Sequence, residues 1–370
     1  MTRTLTRDEL LAYRWHAQGL AAAPGSIDAL DVPILDYGVQ DTGPDGAGWA
    51  LVQRGARTDD VHDAGRFALA WTIRAAPHLY RRSDLAALAT AMRPMSEADA
   101  SKRILNAAKA LKAAGIQSTD ALQHVSQAMR EIVRQPTIKG EVSAALTEVL
   151  DPPYLRFCKP CDATHIYEMP FRLAALQAGL ELQAGTSPPV LQPIPDWPGP
   201  ASAPSERTDL IHGYLRFYGP ATPKQVATFL EAPVKDVVAH WPEDVVDIQL
   251  ADEQRSALAM HVDDLSAAPR PTGCRLLGPY DLYLQGRDRE FLVADPAHRK
   301  ALWPTLGRPG AIVNNGEVIG TWRPKAAGKH LSLRIESWLA LSKKTRAEID
   351  AQGELLADYR SADYAGTTPM

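Results

Sequence analysis

Apolar positions in the first half of the chain recur mostly at helical spacing. "TRDELLAYRWHAQGL" (Thr6 to Leu20) predicts a helix with Thr6 as N-cap and Glu9 three positions on, the spacing of a capping box. "SEADASKRILNAAKALKAAG" repeats the device with Ser96 and Asp99, and Gly115 is placed to stop the helix. Between them, Phe67, Leu69, Trp71 and Ile73 fall at every second position, which predicts a strand running towards Arg81 and Arg82. A proline-rich stretch from Gly185 to Asp209 then interrupts the pattern. Its prolines remove backbone donors and favour extended chain, so it is expected to be a linker between domains.

Past that stretch the elements are sharper. "RTDLIHGYLRFYG" predicts a helix ending at Gly219, and "TPKQVATFL" a second, capped by Thr222 with Pro223 at its first position. "VKDVVAHW" predicts a third helix, and "VVDIQL" and "RSALAMHV" two strands joined by "ADEQ". Three helices followed by a hairpin is the order of a winged helix. Near the C-terminus the order varies. "PAHRKALWPTLG" predicts a helix, and an Asn-Gly pair inside "GAIVNNGEVIGTWRP" predicts a tight hairpin. The strand "KHLSLRIESW" follows the basic segment "RPKAAGK", and "LSKKTRAEIDAQGELLADY" predicts a closing amphipathic helix. The fold class expected is mainly α with small β-sheets. Its regions are 1–184, a linker at 185–209, a central module at 210–268 and a C-terminal module at 269–370.

The strangest stretch is "ILDYGVQDTGPDG" (Ile34 to Gly46). Leu35, Tyr37 and Val39 alternate as on a half-buried strand, and Gln40, Asp41 and Thr42 then precede a Gly-Pro-Asp-Gly turn. Three polar groups at a strand end either cap the turn or hold a water. In an extended strand Gln40 and Thr42 share a face and Asp41 points the other way.

Composition narrows the classes. At 370 residues, 45% hydrophobic and 23% charged, the chain suits an ordinary globular protein of two or three domains. No apolar run approaches the roughly 20 residues of a membrane span, and the polar N-terminus lacks a signal-peptide core, so a cytoplasmic location is expected. Cys158, Cys161 and Cys274 are too few for a disulfide framework. Although "CKPCDATH" sets His165 four residues beyond Cys161, a closed zinc site needs a fourth ligand, so reduced structural thiols are the expectation. No phosphate loop or dinucleotide fingerprint is present.

Net charge is −4, but it is segregated. Residues 66–112 hold nine Lys/Arg against three Asp/Glu, and residues 321–346 hold seven against one. Segregation of this kind suits a phosphate backbone as partner.

The segments "ILDYGVQDTGPDG", "APHLYRRSDL", "TIKGEVSAAL", "FCKPCDATH" and "VIGTWRP" resemble the AlkZ-type tandem winged-helix DNA glycosylases, with the likeness running from about Leu5 to Tyr359. The resemblance implies three winged-helix modules around a DNA-binding channel, acting on double-stranded DNA; nothing in the sequence suggests a coiled coil, so a monomer is the default expectation. It implies excision of bulky or N7-alkylated purines, including unhooking of some interstrand crosslinks, with no metal and no nucleotide cofactor. The family's catalytic signature is Gln, a hydrophobic residue, then Gln or Asp. Gln40 matches its first position, and either Thr42 replaces the second polar group or Asp41 takes its role. Arg81, Arg82, Lys139, Arg323, Lys325, Lys329 and His330 are the expected DNA contacts. The alternative is a DNA-binding regulator that uses the same modules without catalysis.

Overall fold

The computed structural model describes residues 3–43 and 45–370. The chain is mainly helical, with four small sheets among the described residues. It opens with β1 (Arg3–Leu5) and α1 (Arg7–Ala17), whose capping box is complete: Thr6 Oγ1 accepts the Glu9 amide and the Glu9 carboxylate accepts the Thr6 amide. The strand expected from Leu35 to Val39 is mostly a 3-10 turn, Pro33–Asp36, and only β2 (Val39–Gln40) is extended. Proline at the start of the turn fixes φ there, and Gly38, at φ 94, returns the chain to the strand. A Cβ at position 38 would lie 2.3 Å from the Tyr80 hydroxyl, so the approach of β2 to its neighbour also requires glycine.

Helix α2 (Gly46–Val52) follows. The single strand expected up to Arg81 is instead a hairpin of β3 (Phe67–Trp71) and β4 (Pro77–Arg81), reversed at Arg74 and Ala75, both at positive φ. Next come α3 (Leu85–Ala91), α4 (Glu97–Arg103) and α5 (Asn106–Ala113). The sequence pattern predicts one helix where α4 and α5 stand. The break at Leu105, φ 52, turns Ile104 into the core and leaves Leu105 exposed. The region closes with α6 (Ser118–Ile132), β5 (Thr137–Ile138), α7 (Lys139–Val149), β6 (Leu155–Cys158), β7 (Ala163–Ile166), α8 (Glu168–Gln177), β8 (Leu180–Leu182) and β9 (Val190–Pro193). Six of these strands form one sheet in the order β2-β4-β3-β8-β9-β5. Strand β9 lies inside the proline-rich stretch expected to be a linker. Its pairing with β8 and β5 satisfies the donors that remain between the prolines.

The central elements follow the predicted order: α9 (Leu210–Tyr218), α10 (Pro223–Leu230), α11 (Val234–Ala239), then the hairpin β10 (Val245–Leu250) and β11 (Glu253–Leu258). The N-terminal β1 adds to this hairpin, parallel to β10, which no local pattern announces. After α12 (Asp264–Ala267) come β12 (Cys274–Leu277), α13 (Arg289–Leu292), α14 (Pro296–Leu302), β13 (Gly310–Asn314), β14 (Glu317–Ala327), β15 (His330–Ser337), α15 (Lys343–Tyr359) and β16 (Asp363–Pro369). Strands β12 to β16 form a sheet in chain order, turned at Asn315-Gly316 as predicted, with β16 an unforeseen parallel edge. Among the described residues no helix is long and apolar enough to cross a membrane.

One aromatic joint positions the catalytic candidate. Tyr37 is buried against Phe217, Tyr218 and Phe229, stacking on the last at 5.6 Å. Gly213 in α9 makes room, because a Cβ there would meet the Tyr37 ring at 2.3 Å. Burying such a ring stabilises the fold by about 1.5–3 kcal/mol, and it fixes the turn three residues before Gln40 against the central helices.

Candidate active site

Strand β2 pairs with β4, with Gln40 opposite His78, and its end opens onto a cleft of about 270 Å³ between α2 and the C-terminal sheet. Gln40 and Thr42 both line this cleft. Gln40 Nε2 donates to Thr42 Oγ1 at 3.0 Å, so the two side chains share a face as extended geometry requires. Asp41 does not line the cleft. Its amide donates to the Pro77 carbonyl, and its Oδ1 accepts the Ala47 amide at 2.9 Å, so the carboxylate serves an orphan donor in the first turn of α2. The two readings of the three polar groups thus divide: Asp41 holds the turn, while Gln40 and Thr42 face open space.

A fourth polar group completes the arrangement. Gln285 Nε2 donates to Gln40 Oε1 and to the Tyr280 carbonyl, each at 2.8 Å, while Gln285 Oε1 accepts from Arg74 at 2.9 Å. This chain of bonds fixes which end of the Gln40 amide is oxygen, and so which end can donate. Gln40 Oε1 keeps one lone pair, and the Thr42 hydroxyl keeps its own proton. A water in the cleft can therefore donate to the first and accept from the second.

The walls combine flat apolar surface with cations. Trp49, Tyr280 and Trp322 line the cleft, and the indoles of Trp49 and Trp322 are held by the Leu276 and Leu277 carbonyls. Arg308 and Arg323 also line it, and Arg308 lies over the Tyr280 ring at 5.2 Å. Asp45 is a lining carboxylate, but the Arg360 guanidinium engages both its oxygens. Asp281 is fully buried in a two-point pair with Arg54. Neither acid is a free base.

Beyond Gln285 the positive charge accumulates. Arg74, Arg287, Arg289, Arg308 and Arg323 have no carboxylate partner among the described residues. Four of them instead lie over aromatic rings: Arg74 and Arg287 over Phe229, Arg289 over Trp303 and Arg308 over Tyr280. Burial, then Arg287, Arg308 and Arg74, lowers the Arg289 guanidinium to about 10. Burial, then Arg287, also lowers Arg74. Cations that depress one another in this way gain when an anion arrives. The charged run "YDLYLQGRDRE" (Tyr280 to Glu290) therefore splits in two. Asp281 and Asp288 enter buried pairs, Asp288 with Arg14 and Arg255, while Arg287 and Arg289 remain without an acid among the described residues.

The expected DNA contacts divide in the same way. Arg81 is bound to Asp36 at 2.5 Å, Arg82 to Glu181 at 2.8 Å, and Lys139 to Glu168 at 2.7 Å, so each of the three already has a carboxylate partner within the protein. The sequence displays these charges but not the acids that folding brings beside them. Arg323 lines the cleft, and Lys325, Lys329 and His330 are exposed at the tip of the β14–β15 hairpin. His78 is buried, and burial lowers it to about 3, so it is neutral and bonded to Thr72 and the Ala76 carbonyl. Gln285, Asp45 and Arg308 carried no individual signal in the sequence, and Arg287 and Arg289 stood out only as members of the charged run from Tyr280 to Glu290.

A profile described as DNA glycosylase AlkZ-like matches residues 35–359. Over 139 residues the chain is 31% identical to an interstrand DNA cross-link repair glycosylase of Streptomyces sahachiroi, a stretch covering 34% of this chain and 36% of that protein. Its fold is similar to the solved structure of Streptomyces sahachiroi DNA glycosylase AlkZ, with a TM-score of 0.73 and 18% identity over 99% of this chain and 100% of that one. These relatives are named as DNA glycosylases, which are hydrolases of N-glycosyl bonds.

Proposed function

Since this chain belongs to the AlkZ-like DNA glycosylase family, we propose that its cleft excises N7-alkylated purines from duplex DNA, using a water held by Gln40 and Thr42. The observation that carries this reading is the pairing of two side chains. Gln40 and Thr42 share a face on the cleft, with Gln40 fixed by Gln285, while Asp41 is engaged at the start of α2.

The site is poor in free acid and base, and that matches the substrate. An N7-alkylguanine is already cationic. Its C1′–N9 bond breaks with the electron pair passing to the base, which leaves neutral without being protonated. The water oxygen bonds to C1′, its spare proton passes to solvent, and an abasic sugar remains. The protein's share is positioning, through the Gln40 oxygen and the Thr42 hydroxyl, plus dipolar support for charge developing on the sugar. Arg308, Arg323 and the neighbouring arginines then meet the phosphates around the lesion, and Lys325, Lys329 and His330 extend that contact along the duplex. Arg81, Arg82 and Lys139 have no part in it. The winged-helix order of α9 to β11 suits docking to a duplex. The similarity to an interstrand cross-link repair glycosylase extends the proposal to bulky adducts and crosslinks, because an open cleft need not swallow a flipped base.

The test is single-turnover release of N7-methylguanine and of a bulky N7 adduct from a duplex, comparing wild type with Gln40→Ala, Asp41→Ala and Thr42→Ala. DNA binding is measured for each. Release that collapses with Gln40→Ala and falls with Thr42→Ala, while binding survives, supports the reading. Binding without release from either substrate would leave the second reading, a DNA-binding protein without the chemistry.

A further inference from the structure

The hairpin of β6 and β7 stands apart from the cleft and has a composition of its own. It is a sheet of only two strands, and of its eight strand residues only Ile166 is buried. Phe157 is 59% exposed. Two strands with so little core are marginal in water and need another source of stability. The head of the hairpin supplies a candidate. Cys158 ends β6, a 3-10 turn spans Lys159–Cys161, and Asp162 takes the left-handed conformation at φ 49 before β7 begins.

Strand pairing brings the third group round. Cys158 is opposite Ala163 and Arg156 is opposite His165, so Cys158 and His165 lie diagonally on one face. The sulfurs of Cys158 and Cys161 are 3.3 Å apart, and the ligand atoms of all three residues lie within 4.8 Å of one another. Thiolates bound at about 2.3 Å to one tetrahedral zinc would be about 3.8 Å apart, a small adjustment from this arrangement. The imidazole is already oriented. His165 Nδ1 donates to the Ile166 carbonyl at 2.9 Å, which fixes the tautomer and leaves Nε2 as the bare nitrogen available to a metal.

We propose that Cys158 Sγ, Cys161 Sγ and His165 Nε2 bind one zinc-class divalent cation that staples the β6–β7 hairpin, with the fourth position left to water or an external donor. Two sulfurs and one imidazole select a borderline-soft ion such as zinc over magnesium or calcium. Binding releases the two thiol protons to solvent. The sequence argument against zinc required a fourth side chain, and Cys274 does not supply it, being buried in β12. A three-residue site with an open position does not need one. None of the three residues lines the Gln40 cleft, so the staple is separable from catalysis.

The test uses the full chain, reduced and stripped with a chelator, then titrated with Co²⁺ and with Zn²⁺. The expected result is one equivalent of Co²⁺ with intense tetrahedral visible bands and a thiolate charge-transfer band, all displaced by Zn²⁺. The double variant Cys158→Ser, Cys161→Ser should retain less than a tenth of the uptake, whereas His165→Cys should keep it. Zinc should also slow tryptic cleavage after Arg156 at least tenfold in the wild type, and not in the double variant. Retained DNA binding and an unchanged thermal melt in the stripped double variant would show that the remainder of the chain is folded. Absence of the cobalt bands in the reduced wild type would overturn the proposal. So would bands that persist in the double variant, or thiols that resist reduction as a disulfide and take up no metal.

Discussion

Gln285 Nε2 lies 2.8 Å from Gln40 Oε1, although 245 residues separate the two in the chain. The bond decides how Gln40 presents itself to a water. Because Gln285 also accepts from Arg74, its own amide cannot flip without losing all three partners. A side chain anchored at both ends is a positioning residue in the strict sense, and it makes the orientation of Gln40 a property of the tertiary structure.

Gln285→Glu is therefore expected to be more informative than Gln285→Ala. A carboxylate still accepts from Arg74 but cannot donate to Gln40 Oε1, so the Gln40 amide should turn and offer the wrong end to the water. Single-turnover base release should fall by about ten- to a hundredfold, the usual range for a misplaced catalytic group, with DNA affinity kept within a few-fold. Unchanged release would show that Gln40 needs no anchor.

Asp41 and Thr42 should separate cleanly. Asp41→Ala leaves the Ala47 amide without its acceptor and is expected to cost about 0.5–2 kcal/mol of stability, as removal of a helix-terminal cap does. Denaturant melts measure that cost, and release under conditions where the variant is folded should hardly change. Thr42→Ala should do the reverse. A release defect confined to Asp41→Ala would return the second catalytic role to the carboxylate.

The arginines beyond Gln285 predict a salt signature. Replacing Arg308 or Arg289 by Ala should weaken DNA binding and reduce the slope of log affinity against log salt by about 0.9 for each phosphate no longer neutralised. Arg82→Ala and Lys139→Ala should leave that slope alone and lower the melting temperature instead, since Glu181 and Glu168 would then lack these ion-pair cations. Equal slopes for all four variants would mean that the cluster does not meet the backbone.

Acid should unfold the protein partly through His78. Burial holds this imidazole at about 3, against an ordinary value near 6.5, so between those limits the unfolded chain binds the extra proton. Stability is then complete above about pH 6.5 and is lost as pH falls towards 3. Glu97, lowered to about 2 by the Ser118 and Thr119 amides and hydroxyls against the opposing effect of burial, loses its contribution over a lower window. Melting temperatures recorded from pH 7 to pH 4 should decline in the wild type and decline less in His78→Asn, whose amide carries no proton to gain. Parallel curves would remove His78 as the cause.

The substrate range should follow charge. With Asp45 held by Arg360 and Asp281 by Arg54, the cleft supplies neither an acid for a reluctant leaving group nor a free carboxylate for the sugar. Duplexes carrying cationic N7-alkylguanine should be processed at least a hundredfold faster than those carrying a neutral base such as uracil or hypoxanthine. Comparable rates on both would require a proton donor not identified in the cleft.

Much of this protein was decided locally, and the sequence displays it. Thr6 with Glu9, Thr222 with Pro223, and Asn315 with Gly316 each satisfy or reverse backbone within four residues, so they set helix starts and a hairpin turn wherever the chain is placed. Alternation alone put Gln40 and Thr42 on one face with Asp41 opposed. Five short segments, the one around Gln40 among them, together carried the family resemblance. The tertiary structure decided what those groups meet. It broke the expected strand before Val39 and the expected helix at Leu105, and it drew the proline-rich stretch into a sheet. It also turned Arg81, Arg82 and Lys139 onto internal acids while leaving Arg287, Arg289 and Arg308 without one among the described residues. The physical reason is range. Caps and turns are satisfied by neighbours in the chain, whereas the availability of a charge or the orientation of an amide depends on whatever residue folding brings within about 3 Å of it.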